Sequence, residues 1–215
     1  PDLWLADSQA QARRVTDQVR RDLVTVSPSV ATSPTVVVGK KVPDLNSWSE
    51  VMKLPDLRSG SPLDTSTGDA PIIGALAEVD AGKLDSQDLT SAMSVLAIQQ
   101  NNARLANDNE GTRLNLANSS DIPVVTTEQQ YTLFSRTHPG TELKAKVPAD
   151  GTVMLDYPLV STANAARADD AKAAGQALVA GLQSEAGRKA LADAGYRAPD
   201  GTGVGEKMTA LTLKD

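Results

Sequence analysis

Three short stretches of this sequence put polar side chains where an apolar run gives way to a helical one: Asp7-Ser8, Ser66-Thr67 and Thr126-Thr127. The first turn of a helix has N–H groups without intrahelical partners, so a hydroxyl there either caps its own helix or joins those amides in contacting a ligand. Three such junctions brought together would make a neutral, donor-rich pocket for a small oxyanion, a carboxylate or a polar solute. A second chemistry is conceivable with carboxylates. Asp7, Glu128 and Asp156 would suffice for glycoside hydrolysis if two of them met in one cleft with pKa values driven apart. Acidic residues at strand ends more often cap helices or accept amides. With two Trp, three Tyr and one Phe, the chain also has few aromatic platforms for a sugar.

Other chemistries are narrowed by composition. The 215 residues include no Cys and one His, which removes thiolate nucleophiles, disulfides and any zinc site built from two or three imidazoles within the chain. A catalytic triad would have to use His138, in the turn T-H-P-G, where nothing suggests a general base. No G-x-S-x-G, Walker A, dinucleotide fingerprint or H-E-x-x-H occurs, and T-G-V-G-E at 202–206 lacks the strand-to-helix setting of a phosphate loop. No cofactor is expected. Twenty-seven acidic against 21 basic residues give a formal charge of −6, so a surface that tracks nucleic-acid phosphates is not expected. No apolar run reaches roughly 18 residues, and no membrane contact is expected from this segment itself. The opening Pro1-Asp2, running straight into L-W-L, has the character of a processed product or fragment.

The elements that would position these residues alternate between strand and helix. Leu3 to Leu5 reads as a short strand before a helix from Gln9 to Asp22, and Val36 to Val38 is a β-rich run entered through Thr32-Ser33-Pro34. N-S-W-S-E-V-M at 46–52 reads as a helical turn capped by Ser47 or Ser49. A short strand near Leu57, or one reaching Leu63, leads to a helix over Asp69–Val79. Leu89 to Leu105 is helical, with Met93, Leu96 and Ala97 apolar, and the Asn-rich stretch that follows reads as polar and ending in loop. Ile122 to Val125 is a strand before a Thr-capped helix carrying Tyr131 and Phe134, and Leu143 to Val147 is another short strand. V-M-L-D-Y-P-L-V is the last long strand. Pro158 interrupts it, which belongs to an edge, a bulge or the mouth of a site. Helices over Ala165–Ala180 and Ser184–Ala194 follow, the second closed by Gly195 as its cap. This alternation predicts an α/β protein.

Five stretches together resemble the type 2 extracellular solute-binding proteins, in particular the actinobacterial envelope proteins that combine such a fold with a von Willebrand factor A domain. They are P-D-L-W-L-A-D-S, A-T-S-P-T-V-V-V, P-V-V-T-T-E-Q-Q, P-A-D-G-T-V-M-L-D-Y-P-L-V and L-Q-S-E-A-G-R-K-A-L-A-D-A-G-Y-R-A-P-D-G. Their order, and the closing S-x-x-G-R-x-x-L-x-x-x-G-Y-R pattern, make the likeness fairly specific. The resemblance implies a bilobed α/β fold with crossover strands. It assigns 1–35 to the first lobe, 36–125 to the second, and 126–215 to a return to the first lobe and the C-terminal helices. It further implies that the family's N-terminal strand and helix, ahead of P-D-L-W-L, are missing. Matching the family's ligand-facing loops are Asp7, Ser8, Thr32, Ser33, Ser66, Thr67, Thr126, Thr127 and Tyr157. In this scheme Pro158 breaks the ladder where Tyr157 turns toward a ligand.

The implied function is non-enzymatic binding of a small polar or anionic solute, or of an envelope glycan or protein, at the cell surface. Tethering would come from regions outside this chain. The alternative is a structural or protein-interaction module of a von Willebrand factor A protein with a vestigial cleft, and the remote one is the carboxylate hydrolase.

Overall fold

The computed structural model describes residues 1–20, 22–102, 108–203 and 208–213. They form a mixed α/β fold of two compact units, Pro1–Ser33 with Leu155–Glu206 and Pro34–Met154 with Lys207–Asp215. Within the described residues the chain therefore crosses between units at Ser33/Pro34 and again at Met154/Leu155. The sequence reading instead groups 126–215 with the first lobe.

The first unit is built on a three-stranded antiparallel sheet in the order β1 (Leu3–Leu5), β7 (Leu159–Ser161), β2 (Val24–Ser27). Its N-terminal strand and helix are present as β1 and α1 (Gln9–Val19), with Trp4 opposite Val160 in the ladder. Successive side chains of β7 face opposite ways. Leu159 joins Leu155, Tyr157, Val30 and Ala31 in one cluster, reached by Leu3, Val26, Val179, Leu182, Leu191 and Tyr196, whereas Val160 packs with Ala6 and Ala12 of α1's side. Helix α7 (Ala168–Gln183) comes close to the sheet at Gly175, where a Cβ would lie 2.9 Å from Val26 Cγ1. Helix α8 (Glu185–Asp193) follows directly. The sequence reading overlooked β2, a four-residue V-T-V-S run, and extended α1 to Asp22. The helix stops at Val19 because Arg20 turns left-handed at φ 50°.

The second unit has an antiparallel sheet in the order β4 (Val124–Thr127), β3 (Ser33–Gly39), β5 (Lys144–Lys146), with β6 (Met154–Leu155) also pairing β3. Every residue of β3 is buried, as a central strand covered on both faces requires. Val37 meets a cluster of Trp48, Val51, Met52, Leu57, Ala75, Ala92 and Leu96 from α2 (Trp48–Met52), α3 (Ser66–Asp80), α4 (Ser86–Asn102) and the loop between α2 and α3. Val36 and Val38 meet Leu114, Ala117 and Phe134 from α5 (Glu110–Ser119) and α6 (Glu128–Thr137) on the other side. Because β4 lies in register with β3, from Thr35 opposite Thr127 to Val38 opposite Val124, residues 124–127 belong with this unit.

Two local expectations change. The stretch near Leu57 forms no strand; it makes a single parallel bridge, Arg58 to Val124. The Asn-rich stretch holds α5, capped by Asn109, whose side chain accepts Thr112 N–H at 2.9 Å. Residues 103–105 of the helix expected to reach Leu105, and 204–206 of T-G-V-G-E, lie outside the described residues.

Candidate functional site

The nine residues expected to face a ligand divide between the units. Asp7, Ser8, Thr32, Ser33 and Tyr157 lie in the first, and Ser66, Thr67, Thr126 and Thr127 in the second.

In the second unit the polar residues are gathered by α5. Ser66 and Thr67 open α3 behind the cap Thr65, whose Oγ1 accepts Gly68 N–H at 3.0 Å and donates to the Ser61 carbonyl at 3.1 Å. Thr127 caps α6 by accepting Gln130 N–H at 3.2 Å. Residues three apart on a helix share a face. Accordingly Glu110 of α5 accepts from Thr126 Oγ1 at 3.4 Å, while Arg113 on the same face donates from Nη2 to Thr67 Oγ1 at 2.9 Å. The α3 start and the β4–α6 junction are thus joined through one helix.

Arg113 is the unusual member of this group. It is 0% exposed and pairs through Nη1 with Asp108 at 2.6 Å, and its Nε has no hydrogen-bond partner among the described residues. An unpaired N–H on a buried group costs about 1–3 kcal/mol, more when it is charged. The loop around it is shaped to the guanidinium. Gly60 has φ +85°, and a Cβ there would lie 2.6 Å from Thr65 Oγ1 and 2.7 Å from Arg113 Nη1, so only glycine fits both the backbone and the space. A Cβ on Gly68 would lie 2.5 Å from the Ser61 carbonyl, which presses the same loop onto the first turn of α3. Ser59, also buried, receives Gln100 Nε2 at 2.6 Å.

The sequence reading missed Arg113, Glu110, Ser59 and Gly60. The signal was present: Asn109 precedes an acidic first turn, and Arg113, Leu114 and Ala117 recur at helical spacing. Gly111 and the density of Asn hid it, because those residues are poor helix formers.

The first unit is arranged differently. Ser8 caps α1, accepting Gln11 N–H at 3.1 Å, and Asp156 Oδ1 accepts Gln9 N–H at 2.9 Å from across the fold. Burial raises the Asp156 pKa, with the Gln9 amide and Arg13 pulling the other way; burial of its carboxyl raises that of Asp7, although the residue as a whole is exposed. Asp7 and Asp156 share this unit while Glu128 is in the other, in the first turn of α6.

The break at Asp156-Tyr157-Pro158 separates β6 from β7. Tyr157 adopts φ +36°, donates N–H to the Asp7 carbonyl at 3.4 Å and accepts Val30 N–H at 3.1 Å, while the Pro158 carbonyl accepts Ala6 N–H. The Tyr157 ring is buried edge-on to Tyr196, with centroids 5.2 Å apart. Tyr196 belongs to the G-Y-R segment, and several positions of that pattern have a structural account. Ser184 caps α8, Gly195 leaves it at φ 90°, Arg197 exchanges backbone bonds with Thr32, and Thr32 Oγ1 donates to the Ala198 carbonyl at 2.7 Å. The motif fastens the loop carrying Thr32 and Ser33.

No group of three or more His, Cys, Asp or Glu that would hold a metal ion occurs among the described residues, and no helix there is long and apolar enough to cross a membrane.

The family described as bacterial extracellular solute-binding protein matches residues 1–197. No curated protein sequence matches the chain. Among solved structures, the sulfate-binding protein SubI from Mycobacterium tuberculosis H37Rv is similar at 15% identity and a TM-score of 0.59, over 93% of this chain and 69% of that one. The periplasmic binding protein AfuA from Actinobacillus pleuropneumoniae, with fructose-6-phosphate bound, is similar at 14% identity and a TM-score of 0.63, over 99% and 72%. A Bordetella ferric binding protein is similar at 12% identity and a TM-score of 0.59, over 98% and 73%. At these identities the likeness is one of fold.

Proposed function

The chain belongs to the bacterial extracellular solute-binding proteins, a non-catalytic family, and from that premise we propose that it binds a small polar or anionic solute at the cell envelope. One observation carries the reading. Ser59, Ser66, Thr67, Arg113, Thr126 and Thr127 are all buried in one unit, and α5 connects the α3 start to the β4–α6 junction through Arg113 and Glu110. A core gains nothing from so many polar groups unless they are satisfied or serve a ligand. Sulfate, a sugar phosphate and ferric iron in the names of similar structures fit a scaffold whose loops set the ligand. In the first unit, taken by itself, Asp7, Ser8, Thr32, Ser33 and Tyr157 are the proposed ligand-facing residues at its strand exits.

The finer part of the proposal, membership of the actinobacterial group associated with von Willebrand factor A domains, rests on the G-Y-R-containing segment and its neighbours. A full gene without such a domain would remove it.

The test is calorimetric titration and thermal melting of the full chain with sulfate, phosphate, simple carboxylates, amino acids and neutral sugars. At least one solute should bind saturably, and Thr67→Ala combined with Thr126→Ala should weaken it by about 1–3 kcal/mol per lost buried hydrogen bond. A panel in which nothing binds, or a double variant with undiminished affinity for the solute found, would overturn the reading or these residues' part in it.

A further inference from the structure

Resting on the solute-binding reading above, we infer that Arg113 is the charged anchor of the site and that it restricts the ligand to small singly charged anions of the carboxylate kind. The guanidinium has five N–H donors, and two of its nitrogens are committed in identified bonds, Nη1 to Asp108 and Nη2 to Thr67. Nε is buried and has no partner among the described residues. Thr67 stands in the first turn of α3, so the guanidinium is directed at a helix start that also favours negative charge.

The charge state follows from the neighbours. Asp108 already neutralises the guanidinium, Glu110 lies three residues from it on the same helix, and Asp69 is buried in the first turn of α3. A dianion such as sulfate would face three carboxylates with one cation in support. A carboxylate has half that charge and a planar edge that matches a guanidinium in the way an Asp side chain does. Asp108 stands where a competing anion would: its side chain is 32% exposed, whereas that of Arg113 is wholly buried.

The experiment uses the full chain with acetate, L-lactate, sulfate, hydrogen phosphate and glucose as probes, read by calorimetry and by shift in melting temperature. Acetate or lactate should bind about tenfold or more tightly than sulfate, the effect of one charge-assisted contact. Arg113→Lys should weaken the carboxylate by about tenfold or more, because an ammonium does not reproduce the planar fork. Should that variant fail to fold, Asp108→Asn keeps the arginine and should strengthen carboxylate binding by severalfold. Sulfate bound more tightly than the carboxylates would overturn the charge restriction. Carboxylate affinity unchanged in Arg113→Lys, or unchanged or weakened in a folded Asp108→Asn, would remove Arg113 as the anchor. A neutral solute bound independently of Arg113 would overturn this inference and leave solute binding standing, whereas no binding by any probe in the wider panel would remove the premise itself.

Discussion

The starts of α1 and α3 both carry a hydroxyl cap, yet the fold brings side chains of opposite sign to them. At α1 the carboxylate of Asp156, 147 residues away, accepts the Gln9 amide, so the helix end already has an anion of the protein's own. At α3 the long-range partner is the guanidinium of Arg113, which donates to Thr67. A helix N-terminus bears partial positive charge, which a carboxylate completes and a guanidinium augments, with the first-turn Asp69 offsetting part of the latter. Ser and Thr at a helix start therefore say little about ligands. The sign of what tertiary structure delivers to that start says more.

The contrast is most easily broken at Gly60. Gly60→Ala would force a Cβ against Thr65 and Arg113 at a backbone angle that alanine disfavours, and should cost about 3 kcal/mol in denaturant unfolding. A variant as stable as the wild type would mean that the guanidinium is not held against this loop. Next come the caps. Ser8→Ala and Thr65→Ala should each lose about 1 kcal/mol, and Thr65→Ala should in addition disturb carboxylate binding, because its hydroxyl borders Arg113 as well as capping α3.

A smaller effect should appear in the pH dependence. Folding raises the Asp156 pKa above its ordinary 3.8, so the folded chain keeps that proton to higher pH than the unfolded chain does. Its contribution to stability is complete below that value and is lost as pH rises through the folded pKa. Asp7 and the buried Glu78, whose Oε1 accepts Trp48 N–H at 2.6 Å, shift in the same direction, so the informative measurement is a difference. Asp156→Asn retains an acceptor for Gln9 and should flatten part of the slope across this acid window; an unchanged slope would assign the effect to Asp7 and Glu78. The smallest expected effect is a control on α8, away from both helix starts. Lys189→Ala breaks an exposed pair with Asp193 and should change stability by no more than about 0.5 kcal/mol.

Much of the scaffold was legible because its signals are local. Leu3–Leu5, the three valines of β3, the helical turn capped by Ser47 or Ser49 and the Gly195 stop announce themselves by periodicity and by residue types with one conformational use. The interruption at Pro158 was legible too, and it marks where β6 ends and β7 begins. What the break does was less so, since the left-handed Tyr157 and its packing against Tyr196 join positions 39 residues apart. Helix α5 failed for a physical reason: Asn and Gly lower local helix propensity, and the burial of Leu114 and Ala117 against β3 compensates.

The sequence by itself determined the α/β class and the positions of the hydroxyl-rich junctions, which are written in spacing and capping chemistry, and it pointed to the binding-protein family through the resemblance of five stretches. Only the tertiary structure decided that residues 124–127 pair with β3 and so belong to the second unit, and that Asp156 completes α1 while Arg113 reaches α3. Those outcomes depend on strand register and on which helix face is buried. Both are set by packing between segments far apart in the chain, which no local window of residues contains.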